Sequence, residues 1–204
     1  MSSLGRFRAS ALVFVLALRV VVTASAAPRD AAEAVPGNHA VILEVPLVKQ
    51  LGNYCGAASL AMVTEYWAGA IGGDGPEVMR EVTACAVDRY STEARGVRGR
   101  DLESCLQQSG RFVAFAFEGT VEDLTAQLGR GRPLIACLAP SRPGRALHYV
   151  VVTGVDGGGS VLINDPRAGR RRSMTLHEFG SRWAAAGRWT LLAIPGTDSD
   201  QRAQ

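Results

Sequence analysis

Residues 146–166, ALHYVVVTGVDGGGSVLINDP, restrict the fold more than any other part of the chain. Two apolar, β-branched runs flank a Gly157-Gly158-Gly159 turn, the pattern of a β-hairpin. A hairpin alone is marginal in water and needs more strands or a helix against it. The second half of the chain supplies them: RFVAFAFE (111–118) alternates, RPLIACLA (132–139) reads as a buried strand, and RWTLLAIP (188–195) as a last one. Between them, TVEDLTAQLGRG (120–131) reads as a helix with Thr120 as cap, Asp123 reaching back and Gly129 or Gly131 at its end. TLHEFGSRWAAAG (175–187) reads as another helix.

The first half has a different period. After an expected strand, HAVILEVPLV (39–48), the residues from Tyr54 to Trp67 carry apolar positions at helical spacing, closed by Gly69. Pro76 opens a second expected helix with Val78, Met79, Val82 and Cys85 inward, and a third runs from Asp101 to Gln108 with Asp101 or a neighbour as cap. Helices first and an antiparallel sheet second predict an α+β domain of two lobes, residues 41–196, with a cleft between them.

The flanks read differently. Arg6 and Arg8 precede an apolar run that ends in Ala24-Ser25-Ala26, the form of an export signal over 1–26, with an uncleaved anchor as the alternative. Residues 27–40 then form a flexible leader and 197–204 a disordered tail. With Arg6, Arg8 and Arg19 set aside, the chain has 19 basic and 19 acidic residues, so it carries no nucleic-acid signature. Membrane contact is expected only during export. Export permits disulfides. Of Cys55, Cys85, Cys105 and Cys137, the pair Cys85–Cys105 is favoured, because both sit on expected helices of one lobe.

In KQLGNYCGAASLAMVTEYW (49–67), Cys55 stands at a helix start, where free N–H groups and positive potential favour the thiolate. A nucleophilic cysteine needs a base. Of three histidines, His39 lies before the first strand, His177 on a polar helix face, and His148 at the start of a buried strand. The hairpin sets His148 near Asp165, at the end of the return strand. A buried cysteine, a strand histidine and an Asp-Pro turn are each ordinary alone; together they point to catalysis. Neither C-x-x-C nor H-x-x-x-H spacing is present, so no metal or other cofactor is expected. The RAGRRRS run (167–173) reads as a solvated turn, or else as an attractor of acidic substrate.

QLGNYCGAASLAMVTEYW, GRPLIACL, HYVVVTGVD and VLINDP together resemble the bacteriocin-processing cysteine peptidases, papain-like domains that cut leader peptides after Gly-Gly. The resemblance spans Val45 to about Pro195. It implies Cys55 as nucleophile, His148 as base, Asp165 as the orienting residue, and Gln50 as oxyanion donor beside the Cys55 N–H. The family's glutamine usually stands six residues before the cysteine; here Gln50 stands five before, and Lys49 has the usual place. A stand-alone exported peptidase acting on peptide or protein substrates is the leading expectation. An amidase or acyltransferase with the same triad and a non-catalytic peptide-binding module are the alternatives.

Overall fold

The computed structural model describes residues 40–71, 75–90, 96–142 and 144–196. The expected signal, tail and His39, and all of the leader but Ala40, lie outside the described residues.

The elements follow in the order β1 (Val41–Ile42), α1 (Cys55–Tyr66), α2 (Gly75–Asp88), α3 (Gly99–Gln108), β2 (Phe112–Glu118), α4 (Val121–Gly129), β3 (Leu134–Leu138), β4 (His148–Val155), β5 (Val161–Asp165), β6 (Arg170–Met174), α5 (Leu176–Ala184) and β7 (Trp189–Pro195). The strands make one antiparallel sheet in the order β2-β7-β3-β4-β5-β6, and β1 pairs with β4 beyond the end of β3.

The two faces of the sheet have separate cores. Ile135, Val151 and Leu191 point to the α1–α3 side. Leu134, Ala136, Val150, Val152 and Leu192 point to the other side, against Leu124 and Leu128 of α4 and Phe179 and Trp183 of α5. That is the period-2 alternation of strands covered on both faces. Helix α1 is buried from Cys55 to Thr64. A helix apolar around nearly its whole circumference belongs in the interior. Its first turn fits because it is small: a Cβ on Gly56 would stand 3.0 Å from Leu102 and 3.4 Å from Tyr149.

The expected capping box on α4 is present, with Thr120 Oγ1 accepting from the Asp123 N–H at 3.1 Å and Asp123 accepting from the Thr120 N–H at 2.9 Å. Four local expectations need correction. Among the described residues of HAVILEVPLV only Val41 and Ile42 are strand; Pro46 has no N–H for a ladder, and the Val45 and Pro46 carbonyls accept from the Asn164 side chain instead. Helix α1 ends at Tyr66, with Trp67 rather than Gly69 as its cap. The α3 cap is Arg98; Asp101 sits in the first turn and pairs with Arg98 at 2.9 Å. The arginine run is a turn only in its first part: residues 166–169 turn, and residues 170–174 form β6, paired along all of β5.

Cys85 of α2 and Cys105 of α3 form a disulfide across 20 residues of chain. Closing a loop of that size in the unfolded chain stabilises by about 3 kcal/mol. The Cys85→Ser, Cys105→Ser double variant should lose roughly that much in urea unfolding, and an unchanged midpoint would show that the link is dispensable.

Candidate active site

Cys55 is the first residue of α1 and is buried. No side chain among the described residues caps this helix, so its first-turn N–H groups stay available. His148 opens β4, Asp165 closes β5, and both are buried.

The hairpin is not a plain ladder. Near its turn Val155 pairs with Val161 and Gly154 with Leu162; past an irregularity at Thr153, Val152 pairs with Ile163 and Val151 with Asn164. The extra residue matters because a one-residue slip reverses every side chain. In the unshifted register Asp165 would face Val151, and His148 would point to the opposite side of the sheet. With the shift, His148 and Asp165 are diagonal neighbours on one face. His148 Nε2 lies 2.8 Å from Asp165 Oδ1.

Asp165 accepts more than this one bond. Its Oδ1 also takes the backbone N–H groups of Arg167 (3.0 Å) and Ala168 (3.1 Å), and Oδ2 takes Arg172 Nη1 at 3.0 Å. Burial alone would raise its carboxyl; the hydrogen bond and charge of His148, the Ala168 N–H and Arg172 outweigh burial and hold it well below the usual carboxylate range. Sequence reasoning missed Arg172. The signal was there: once β6 pairs with β5, Arg172 stands opposite Ile163 and therefore on the face of Asp165.

With Nε2 on Asp165, Nδ1 is the ring nitrogen left to meet the thiol. Nδ1 is buried and has no hydrogen-bond partner among the described residues, while Cys55 and His148 lie near enough for each to shift the other's titration. Catalytic contacts are often loose before substrate binds. Burial pushes the Cys55 thiol up, but the His148 side chain, the Tyr149 backbone and the charges of His148 and Arg167 leave it lowered. Burial pushes the His148 imidazolium down, but Asp165 and Cys55 leave it raised. The two shifts favour a thiolate–imidazolium pair.

Two cavities open beside the sulfur. One, of 540 Å³, is lined by Gln50, Asn53, Cys55, Arg145 and Arg167; the other, of 570 Å³, by Cys55, Val97, Cys137, Tyr149 and Trp189. Gln50, not Lys49, lines the first. Its backbone N–H is tied to the Pro166 carbonyl at 2.9 Å, its side-chain amide donates to the Gly52 carbonyl, and its Oε1 is buried without a partner among the described residues. Cys137 is free, but burial and the nearby Cys55 push its thiol up to about 12. It stays protonated and is no rival nucleophile. Among the described residues no three His, Cys, Asp or Glu side chains converge as a metal site. His177 lies exposed on α5.

The profile of the Peptidase_C39 like family matches residues 42–191. The chain belongs to this family. It is therefore a cysteine-type peptidase, and peptides are its substrate class. No curated protein sequence matches it significantly. Among solved structures, it is similar to a Bacillus anthracis protein assigned as a C39-like peptidase, at 20% identity over 78% of this chain and 100% of that one, with TM-score 0.59. It is also similar to the peptidase domain of Streptococcus ComA, a bifunctional ABC transporter involved in a quorum-sensing pathway, at 20% identity over 75% and 100% of the two chains, with TM-score 0.54. At this identity the likeness concerns the fold: the C39 peptidase fold is papain-like, α+β with an antiparallel sheet, as expected from the sequence.

Proposed function

We propose that the chain is an exported peptidase that cuts peptides through a Cys55–His148–Asp165 triad. The observation that carries this reading is the buried relay from Asp165 through His148 to a thiol at an uncapped helix start. Asp165 fixes the imidazole with Nδ1 toward the sulfur. The Cys55 thiolate attacks the scissile carbonyl carbon, and the carbonyl π electrons move to oxygen. The Cys55 N–H and the Gln50 amide, once it swings from Gly52, donate to that oxyanion; such a donor contributes about 3 kcal/mol in the transition state. The His148 imidazolium gives its proton to the leaving amine as the C–N bond breaks. Water, deprotonated by His148, then releases the acyl group. The family resemblance supports small residues such as Gly-Gly before the cut. The Cys85–Cys105 disulfide supports an oxidising compartment and hence export.

The test is a peptide library incubated with purified protein, with and without acceptor amines. Cleavage lost in Cys55→Ser supports the reading; transfer to the amine in place of hydrolysis would reassign the enzyme as an acyltransferase. The pH dependence should follow the pair. Because Cys55 is lowered, the acid limb of kcat/KM should lie below the ordinary thiol value of about 8.5; because His148 is raised, the alkaline limb should lie above the ordinary imidazole value of about 6.5. An acid limb at or above 8.5, roughly that of a free thiol, would contradict the pair.

A further inference from the structure

Several arginines in and around the cleft are committed. Arg98 pairs with Asp101, Arg171 with Glu44, Arg172 with Asp165 and Arg182 with Glu178. Arg145 and Arg167 are not: neither pairs with a carboxylate among the described residues. Both line the 540 Å³ cavity beside Cys55, whose wall carries no Asp or Glu among the described residues. Both also line a cavity of 300 Å³ beside His148 and Asp165. The two carboxylates there, Asp165 and Glu178, are taken by His148, Arg172 and Arg182.

Arg167 is held on a rigid base. The turn from Asp165 to Gly169 is closed by the Gly169 N–H on the Asp165 carbonyl at 2.9 Å and by the two backbone bonds to Asp165 Oδ1. The Gln50 N–H on Pro166 ties this turn to the loop before Cys55. The fixed turn sets where the Arg167 side chain starts from, and its planar fork suits a carboxylate.

We propose that Arg145 and Arg167 form a subsite for a carboxylate of the substrate, on the leaving-group side of the scissile bond. This deepens the peptidase reading of Cys55 and rests on it. The side follows from placement: Arg167 leaves the same turn as Asp165, on the imidazole side, where His148 hands its proton to the departing amine. The subsite also fits the chemistry of the pair. Arg167 favours the thiolate but opposes the imidazolium. A bound carboxylate offsets that opposition when His148 must hold its proton. The carboxylate has two sources, an Asp or Glu side chain just after the cut, or the free C-terminus of a short substrate.

The test has a readout that needs no substrate. Cys55 is alkylated with anionic iodoacetate and with neutral iodoacetamide, the modified residue being located by mass spectrometry. Relative to free cysteine, the iodoacetate-to-iodoacetamide rate ratio should rise about tenfold, fall in Arg167→Gln and in Arg145→Gln, and fall in high salt. In peptides, Asp just after the scissile bond should be cut roughly five to ten times faster than Asn, a preference lost in the same variants. Free-acid and amidated C-termini on the same peptides separate the two sources. A ratio equal to that of free cysteine, with no preference for either carboxylate, overturns the subsite while leaving the peptidase reading intact. A Cys55 unreactive to both reagents overturns that reading, and the subsite with it.

Discussion

Cys55→Ala and His148→Ala should each lower kcat/KM by at least about a thousandfold, some 4 kcal/mol of transition-state stabilisation, while the protein stays folded. Neither group replaces the other. Without the sulfur there is no nucleophile; without the imidazole the buried thiol loses its largest lowering partner, and burial then dominates. The fold should survive both changes for reasons visible around the site. Cys55→Ala removes one atom from a first turn already built of small residues. His148→Ala deprives Asp165 of one donor and leaves it three, the Arg167 and Ala168 N–H groups and Arg172. Rates should be read beside urea midpoints. A folded variant that kept more than about a tenth of the wild-type rate would mean that the pair is misassigned.

The Asp165 variants should divide differently from what the residue type alone suggests. An orienting residue in a cysteine site needs only an acceptor, so asparagine would be expected to serve nearly as well as aspartate. Arg172 changes that. If the Asn oxygen keeps His148 and the two backbone N–H groups, its NH₂ must face the guanidinium that Asp165 Oδ2 now binds at 3.0 Å. Two donors then point at each other. Arg172 is 36% exposed and can swing partly to water, which limits the cost. Asp165→Asn should lose roughly 10- to 100-fold in kcat/KM and about 1–3 kcal/mol of stability. Asp165→Ala should lose about a thousandfold, because the ring is then free to turn. Adding Arg172→Gln to the Asn variant should recover about fivefold or more, since the glutamine oxygen can accept from the amide. An Asp165→Asn enzyme of full activity with Arg172 intact would show that the Asp165–Arg172 pair does not position His148.

Much of this site is legible in the sequence, because its parts lie at ends of strongly patterned elements. The thiol at a helix start and the hairpin carrying His148 and Asp165 follow from periodicity and turn residues. Two features were beyond that reach. The irregularity at Thr153 cannot be counted from residue spacing, although it decides which face His148 takes. The strand at 170–174 is hidden by its composition: three consecutive arginines read as a loop, although they form a solvent-facing strand paired with β5. The strand expected at 39–48 failed for the converse reason. Val45 packs at 4% exposed while Ile42 and Leu47 lie open, and an asparagine side chain takes carbonyls that a neighbouring strand would otherwise pair.

The most direct test of the ion pair is the pH dependence of Cys55 alkylation by neutral iodoacetamide, in the wild type and in His148→Ala. The wild type should reach half its maximal rate below the ordinary thiol value of about 8.5, and His148→Ala should move that midpoint upward, past the free-thiol value, as burial takes over. A wild-type midpoint equal to that of free cysteine, unmoved by the loss of His148, would contradict the account.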